Sequence, residues 1–374
     1  MSRLNSFLAG IKVLDLSQYI PGPMASLMLA DMGADVLKIE PPRGDEMRHL
    51  GPRDAAGDPV FYGALNAGKS VRRMDLKSTA GQAEFLELAG QADILIEGFR
   101  PGVMQRLGID YVVLARINPR LIFCAMSGYG AVGPDITKAA HDGNYLATSG
   151  VLDRNGGEGP QFYDPPLSDT SGALYATIAI LAALQGRHGS GRGCQIDLGL
   201  ADVVMPLQML QVADFGANGH IPRRRTTYLN GGAAYYQVYR TADGRHVMLG
   251  AVEPKFWRAF CECAGHADWI ARHAEPMPQG PLIADLAHWF ATFALDDVLE
   301  RFAPVDCCLS PVLDLAEALT SEQTRSRGLV RQGARAGDLQ ALFPAYIDGQ
   351  PPNIRSPRST LETDQQAAHR HAAG

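Results

Sequence analysis

Alternating apolar strands and Ala/Leu-rich helices in the first 200 residues constrain the fold of this chain more than any other feature. Residues 11–16 predict a strand, residues 24–32 predict a helix that ends at Gly33, and residues 34–40 predict a second strand. A strand–helix–strand unit of this kind places its two strands parallel in one sheet. The sequence therefore predicts an α/β fold built on a parallel, doubly wound sheet.

The same alternation continues to residue 212. Further elements are predicted as strands at 93–97, 121–127 and 195–198 and as helices at 81–91, 102–107, 170–184 and 200–212. Many strands alternating with helices over this length are typical of one large α/β domain.

The pattern changes after Phe215. Residues 216–232 are rich in Gly, Arg and Thr, as in a linker, and two short strands at 235–239 and 246–250 flank a turn at Asp243-Gly244 that is typical of a hairpin. We predict a large domain formed by residues 1–205 and 325–374, a linker at 206–224 and a smaller α+β domain at 225–320.

Charge and apolar patterning argue against several classes of partner. The 374 residues include 34 Lys and Arg against 40 Asp and Glu, a net charge of −6, so no nucleic acid is expected to bind. No run of 18 apolar residues occurs, and we expect no membrane span. The turn at residues 21–26 lacks the Gly-x-Gly-x-x-Gly pattern, which argues against a bound dinucleotide.

Six cysteines are scattered along the chain without a metal-binding spacing. No Cys-x-x-Cys pair occurs, and His266 near Cys261 and Cys263 does not complete a zinc pattern. We predict free thiols in a reducing cytoplasm and no metal site.

Three residues have side chains suited to acid/base chemistry, and each also has a plain structural interpretation. His141 is in a predicted loop, where an imidazole is either solvated or a general base. Asp169 precedes the predicted helix at 170–184, where an aspartate often caps the first turn. Glu253 precedes Pro254, a residue suited to the first helical position.

Several long motifs, in the same order along the chain, resemble those of the class III CoA-transferase superfamily, and in particular of its α-methylacyl-CoA racemase branch. The resemblance covers residues 8–330 and rests on PGPMASLMLADMGADVLKIEPP, DLKS, EGFRPGVMQRLGI, HDGNY, LNGGAAYYQVYRTADG, GAVEPKFW and SPVLDLAEAL. It implies a large Rossmann-like domain and a small domain, with two chains interlocked as rings in a homodimer. The expected substrate is an acyl-CoA, whose CoA moiety belongs to the substrate, and no separate cofactor is implied.

In the racemase branch, the resemblance assigns catalysis to His141, Asp169 and Glu253. Epimerising the carbon next to a thioester removes a proton from one face and returns one to the other, which is easiest with two acid/base groups. His141 and Asp169 would be those groups, and Glu253 would orient the imidazole and raise its basicity. The free N–H groups at a helix N-terminus beside Asp169 would hold an enolate oxygen.

The resemblance also implies which residues bind CoA. Cations near its pyrophosphate and ribose 3′-phosphate would be supplied by Arg and Lys. Backbone groups would meet the adenine, and the residues after His141 would line the pantetheine channel. The implied set is Arg43, Met74, Leu76, Lys77, Gly98, Arg100, Arg106, Asp142 and Tyr145.

The leading hypothesis is a racemase acting on 2-methyl-branched acyl-CoA thioesters, and two alternatives remain open. A class III CoA transferase would move CoA between carboxylic acids, with Asp169 as a nucleophile that forms an aspartyl-CoA thioester. The Thr-Ser-Gly that follows Asp169 resembles the transferases, whereas His141 and Glu253 together favour the isomerase. A catalytically silent acyl-CoA-binding protein is the third hypothesis.

Overall fold

The computed structural model describes residues 2–335 and 337–361, which form two compact units. The large unit contains residues 2–148, 163–207 and the described residues from 322 onward, and the small unit contains 149–162 and 208–321. Residues 149–162, predicted in the large domain, thus belong to the small unit. Residues 362–374, also predicted in the large domain, lie outside the described residues.

Twelve strands are present in the described part of the chain. In order they are β1 (Lys12–Asp15), β2 (Asp35–Glu40), β3 (Ser70–Arg73), β4 (Ile94–Glu97), β5 (Ile122–Ser127), β6 (Gln195–Gly199), β7 (Tyr236–Arg240), β8 (His246–Gly250), β9 (Leu309–Pro311), β10 (Val330–Gln332), β11 (Leu339–Ala341) and β12 (Ser359–Thr360).

Fourteen α-helices are present in the same residues. They are α1 (Pro21–Asp31), α2 (Val60–Leu65), α3 (Thr79–Gln91), α4 (Val103–Arg106), α5 (Tyr111–Ile117), α6 (Asp142–Thr148), α7 (Val151–Arg154), α8 (Leu167–Ser190), α9 (Met209–Asn218), α10 (Pro254–Ala264), α11 (Gly280–Phe290), α12 (Leu295–Phe302), α13 (Leu315–Thr320) and α14 (Glu322–Arg327).

A seven-stranded sheet forms the centre of the large unit, and the prediction of a parallel α/β sheet is confirmed. Its strand order is β12-β3-β2-β1-β4-β5-β6, with every neighbouring pair parallel. Val13 of β1 pairs with Val36 on one side and Ile94 on the other. Strands β2 and β3 lie on one side of β1, and β4, β5 and β6 lie on the other, so the strand order reverses at β1. In such sheets, ligands bind beyond the carboxyl ends of the strands at this point.

Strand β4 shows why the sheet requires coverage on both faces. All four of its residues are buried, so side chains of both orientations are removed from water. On one face, a cluster of buried apolar side chains joins β4 and β5 to helices α3 and α5 through Phe85, Leu95, Leu114 and Phe123. On the other face, the Ala- and Gly-rich side of α8 packs along α1 and the strands.

Beneath the carboxyl end of β1, a fully buried carboxylate is compensated by a fully buried lysine. The Nζ of Lys69 lies 3.2 Å from Oδ2 of Asp15 and 2.7 Å from Oγ of Ser26, and both charged side chains are completely buried. Burial alone would raise the pKa of Asp15, but Lys38 and Lys69 hold it well below its usual range. Burial also lowers the pKa of Lys69, to about 8, despite the neighbouring Asp15.

A second buried lysine connects the same strand end to β2. The Nζ of Lys38 donates to the carbonyl oxygen of Ser17 at 2.7 Å and pairs with Asp45 at 2.9 Å, again with both charged side chains buried. Ser17 in turn donates its N–H to Oδ1 of Asp15 at 2.9 Å. These contacts fix the loops that follow β1 and β2.

Two helices differ from the sequence-based bounds for identifiable reasons. Helix α1 begins at Pro21, because proline is tolerated in the first turn, where no N–H donor is needed. Helix α8 continues to Ser190, past the predicted end near Gly186. Gly186 is exposed with open space around it, so the helix tolerates it, and Gly191 in the left-handed conformation (φ 68°) ends it.

Helix α8 is long and apolar enough to cross a membrane, judged by length and composition only. The expectation of no membrane span rested on uninterrupted apolar runs, a different criterion, and it stays a prediction. Within the large unit, Gly172 of α8 packs so closely that a Cβ there would lie 2.4 Å from Leu200. Packing against α1, β5 and β6 is a sufficient reason for its composition.

The small unit contains an antiparallel sheet in the order β7-β8-β9. Its core is aromatic, with Trp257, Phe260, Phe290 and Phe302 in stacked or edge contacts. The predicted hairpin of β7 and β8 is present, with Arg240 opposite His246. The predicted linker at 206–224 contains helix α9, which ends at Asn218 and is capped by Gly219 in the left-handed conformation.

We expect the Lys69→Met variant to lose about 3–5 kcal/mol of unfolding free energy, because it leaves Asp15 buried without its nearest cation. Arg3→Met, which breaks an exposed ion pair with Asp348, is the control and should cost less than about 1 kcal/mol. Urea unfolding followed by far-ultraviolet circular dichroism measures both. Equal losses in the two variants would show that the buried pair has no special importance.

Candidate active site

A cavity of about 800 Å³ opens at the carboxyl ends of β1, β2, β3 and β4 in the large unit. This is the edge of the sheet at which α/β folds bind ligands, since the loops after parallel strands converge there. The cavity is lined by Leu16, Gln18, Ile39, Glu40, Pro41, Pro42, Arg43, Met74, Asp75, Leu76, Lys77, Phe99, Val103, Arg106 and Leu107.

Five of the residues expected to bind CoA line this one cavity: Arg43, Met74, Leu76, Lys77 and Arg106. They come from three separate stretches of the chain, and the convergence of strand ends brings them together. Gly98 and Arg100 are exposed on either side of Phe99 but do not line the cavity themselves. Their contact with CoA remains a prediction.

The cations of this cavity are available to an anion. Lys77 and Arg106 are exposed and form no ion pair with any residue that the structure describes. Arg43 pairs with Glu46 at 2.8 Å, but its side chain is 77% exposed. Exposed pairs of this kind contribute little free energy, so Arg43 is free to exchange Glu46 for a phosphate.

Helix α6 and helix α8 are joined through a single carboxylate. Oδ1 of Asp142 accepts hydrogen bonds from the backbone N–H groups of Ser168, at 2.6 Å, and Asp169, at 3.2 Å. A negative charge at a helix N-terminus is favourable, so Asp142 caps α8 from outside. It thereby brings the start of α6, and His141 before it, to the turn of α8 that carries Asp169.

Asp169 lies within the first turn of α8, so the interpretation of this residue as the cap of a helix starting at residue 170 was wrong. The N–H groups of Ser168 and Asp169 already donate to Asp142. The expectation that free amides at this end hold an enolate oxygen therefore does not apply to these two.

The electrostatic environment of Asp169 favours its protonated form. Burial, reinforced by the charge of Asp142, raises the pKa of Asp169 to about 6. Tyr145, from α6, is a second neighbouring titratable group, and burial together with Asp169 raises the pKa of its hydroxyl to about 12. A carboxyl group with a pKa near neutrality can both accept and return a proton.

His141 precedes α6 and has an exposed side chain. Its N–H donates to Oδ1 of Asn144 at 3.0 Å, and its carbonyl oxygen accepts from the N–H of Asn144 at 2.8 Å, which fixes its backbone. Its ring contacts the edge of Tyr19, with centroids 6.2 Å apart. The imidazole nitrogens remain accessible to a substrate.

Tyr145 is held in place by its own surroundings. Its hydroxyl donates to the carbonyl oxygen of Ala140 at 3.1 Å, and its ring packs against Tyr129 with centroids 5.4 Å apart. A Cβ at position 128 would lie 2.6 Å from the Tyr145 hydroxyl, so Gly128 is required there. The predicted contacts of Asp142 and Tyr145 with pantetheine remain predictions.

Glu253 belongs to the small unit and immediately precedes α10, whose first residue is Pro254. Its side chain is exposed and makes no capping hydrogen bond to this helix. The proline at the helix start agrees with the structural interpretation of this dipeptide. Among the described residues, the Glu253 carboxylate has no ion-pair partner. Its pairing with His141 remains a prediction.

Sequence reasoning missed several residues of the site. Gln18 and Asp75 line the cavity, and Tyr19 contacts His141 from a left-handed conformation (φ 64°). Glu97, at the end of β4, is buried, and this burial raises the pKa of its carboxyl to about 7. Gln18 and Tyr19 follow the predicted strand at 11–16 and Glu97 ends the predicted strand at 93–97, and these positions were the available signal. No strand was predicted before Asp75. Within residues 2–335 and 337–361, no three His, Cys, Asp or Glu side chains cluster to hold a metal ion.

We expect Asp169→Asn to stabilise the protein at pH 8, by about 1–3 kcal/mol, because the carboxylate has to lose its proton in a site that disfavours the charge. The folded-state pKa, about 6, lies above the ordinary value of 3.8, so protonation stabilises the fold at low pH and this contribution is lost as pH rises through 6. The gain from the variant should therefore shrink from pH 8 to pH 5, as measured by urea unfolding. Asp135→Asn, a surface control, should show no such trend, and a pH-independent effect of Asp169→Asn would contradict the assignment.

The chain is similar to known proteins over most of its length. The model of CoA-transferase family III matches residues 8–365. Acetyl-CoA:oxalate CoA-transferase from Acetobacter aceti is 32% identical over 96% of this chain and 94% of its own length. Human alpha-methylacyl-CoA racemase is 33% identical over 86% of this chain and 81% of its own. The crystal structure of a CAIB/BAIF family protein from Brucella suis has a TM-score of 0.83 at 27% identity and covers 98% of this chain and 99% of that chain. The chain therefore belongs to CoA-transferase family III.

Proposed function

We propose that this protein is an acyl-CoA racemase that epimerises the α-carbon of 2-methyl-branched acyl-CoA thioesters. The observation that carries the proposal is the cap from Asp142, which joins the element after His141 to the helix turn that bears Asp169. The cap thus connects the segment that carries His141 to the first turn of α8, which carries Asp169. The similarity to human alpha-methylacyl-CoA racemase supports the same activity.

In the proposed reaction, one base removes the α-proton and the C–H electron pair moves into an enolate, with the charge on the thioester oxygen. The other group, which lies on the opposite face in its protonated form, then delivers its proton to the α-carbon; the carbonyl re-forms, and the α-carbon has the inverted configuration. His141 and Asp169 take these two roles, and their order depends on which enantiomer is bound. Glu253 orients the imidazole and stabilises its protonated form.

The cavity at the strand ends is the proposed site of the CoA moiety. Arg43, Lys77 and Arg106 supply positive charge for its phosphates, and Met74, a buried residue, and Leu76 supply an apolar wall for the adenine. Binding energy from this remote part of the substrate positions the reacting carbon.

The second candidate is a CoA transferase that moves CoA between carboxylic acids. Its support is the half-buried carboxylate of Asp169, followed by Thr-Ser-Gly, together with the similarity to an acetyl-CoA:oxalate CoA-transferase. In that reaction the Asp169 carboxylate would attack the thioester and form an aspartyl-CoA thioester. No base opposite Asp169 is then needed, so the importance of His141 separates the two functions.

We also infer that two copies associate. Helix α9 has no buried residue and exposes Met209, Leu210 and Phe215, which are 58–65% accessible. Helix α8 exposes Leu174 and Ile178 one turn apart. Apolar faces of this kind mark interfaces, and the family resemblance implies a second copy. Sedimentation should give a dimer. Obligate interfaces bury more than about 2,000 Å² of surface in total, so this dimer should resist dilution. A fully active monomer after dilution would contradict the inference.

The proposed function predicts opposite defects for two variants. Asp169→Asn and His141→Ala should each lower racemisation by about 100-fold or more, because each removes one acid/base group. Each should still exchange the α-proton of one enantiomer through the remaining base, and the two variants should prefer opposite enantiomers. Chiral separation of the acyl-CoA and its deuterium content measure both properties.

The transferase alternative gives a different pattern for the same variants. Asp169→Asn would be inactive, His141→Ala would keep much of its activity, and hydroxylamine or borohydride would trap a thioester at Asp169. Near-normal exchange in His141→Ala, or a covalent adduct that accumulates at Asp169 during turnover, contradicts the racemase.

A further inference from the structure

Glu40, at the end of β2, is a carboxylate in the wall of a cavity that otherwise suits anions. Its side chain is 1% exposed, and its oxygens are saturated by hydrogen bonds. Nε and Nη2 of Arg48 donate to the two oxygens at 2.8 and 3.0 Å, the N–H of Asp45 donates at 3.3 Å, and the Tyr62 hydroxyl donates as well. The carboxylate therefore has no oxygen left for a ligand.

Arg48 approaches Glu40 from behind the cavity and is not part of its lining. Its Nη2 also donates to the Tyr62 hydroxyl at 2.6 Å, and its guanidinium carbon lies 4.0 Å from the centroid of that ring. Although burial alone would raise the pKa of Glu40, the hydrogen bonds from Arg48 and Tyr62 lower it. The pair is thus a fixed carboxylate with a fixed countercharge.

The turn that covers this pair also forms one wall of the cavity. Gly44 has φ +90°, and a Cβ there would lie 2.9 Å from Cδ of Arg48, so the turn packs directly on the ion pair. The N–H of Gly44 donates to the carbonyl oxygen of Pro41 at 2.8 Å, which closes the turn. Pro41 and Arg43 of this turn line the cavity.

The balance of charges in the cavity wall shows why the pairing of Glu40 with Arg48 matters for an anionic ligand. Three cations, Arg43, Lys77 and Arg106, face two carboxylates, Glu40 and Asp75. Without Arg48, Glu40 would cancel one of the three cations and repel a phosphate across a partly desolvated wall.

We propose that Arg48, although outside the cavity, is a positioning residue that makes this site selective for a nucleotide with an additional phosphate, the ribose 3′-phosphate of CoA. It does so by cancelling the charge of Glu40. The inference rests on the proposed function, because it takes the cavity to be the CoA site. It concerns the choice between ligands of different charge and is independent of whether the enzyme is a racemase or a transferase.

Equilibrium binding of CoA and of dephospho-CoA at pH 8.5 tests the proposal, since a high pH favours the ionised form of a buried carboxyl group that has lost its cation. CoA carries about twice the phosphate charge of dephospho-CoA, so an uncovered carboxylate should weaken the first about 10-fold and the second about 3-fold at low salt. Arg48→Met should therefore lower the preference for CoA about 3-fold. At 1 M salt the screening length is about 3 Å, so Arg48→Met and the wild type should then show the same preference for CoA.

Two further variants distinguish charge from structure. Glu40→Gln removes the negative charge and leaves that of Arg48, so it should raise the preference for CoA about 3-fold, and the double variant should restore the original preference. Arg355→Met, which breaks a comparable buried pair with Asp31, is the matched control. It should reduce stability and leave the preference unchanged.

An unchanged preference in folded Arg48→Met, or in Glu40→Gln where Arg48→Met does not fold, contradicts the proposal. So does a loss that persists at 1 M salt, or an equal loss in Arg355→Met. A failure of the proposed function looks different. The wild-type protein would not bind CoA, or Arg106→Ala would leave CoA affinity unchanged, and the inference about Arg48 would then be wrong as well.

Discussion

The pairing of two buried lysines with two buried aspartates beneath the strand ends is the constraint on which the rest of the large unit depends. Lys69 compensates Asp15 at the end of β1, and Lys38, on β2, compensates Asp45 in the loop that follows. Breaking a buried pair leaves an uncompensated charge, which is far more costly than the pair is stabilising. The loops after β1 and β2 therefore have one acceptable arrangement.

That arrangement determines what the cavity presents to a ligand. Lys38 holds the carbonyl oxygen of Ser17, next to Gln18 in the cavity wall, and Asp45 follows the turn that carries Arg43. The charged groups behind the wall pair with one another. On its surface, Lys77 and Arg106 form no ion pair with a described residue, and Arg43 has only its exposed pair with Glu46. At α8, one charge likewise has two effects. Asp142 caps the helix, and its negative charge also raises the pKa of Asp169.

Much of the large unit could be predicted from the sequence, because its buried strands are short apolar runs between clear helices. Strand β3 was missed because Ser70–Arg73 has only Val71 buried, and it is recognised as a strand only through its pairing with β2. The end of α8 was missed because an exposed glycine, Gly186, carries only a propensity cost, which tertiary packing overrides.

The chemistry of the site was predictable by residue and not by geometry. The family motifs identified His141 and Asp169, and the hydrophobic periodicity predicted that His141 lies in a loop and that Asp169 lies at the start of a helix. The cap from Asp142 joins residues that are 26 and 27 positions apart, and no local pattern reports such a contact. Likewise, the charge of Glu40 can be read from the sequence, but its neutralisation by Arg48 depends on the folded turn.

The most direct test of the account is to incubate one enantiomer of a 2-methylacyl-CoA with the protein in deuterated water, with no acceptor acid present. Mass spectrometry and chiral analysis then follow deuterium and configuration at the α-carbon. The account predicts deuterium incorporation accompanied by inversion, because two acid/base groups act on opposite faces. Absence of exchange, with CoA transfer appearing once a carboxylic acid acceptor is added, would contradict it.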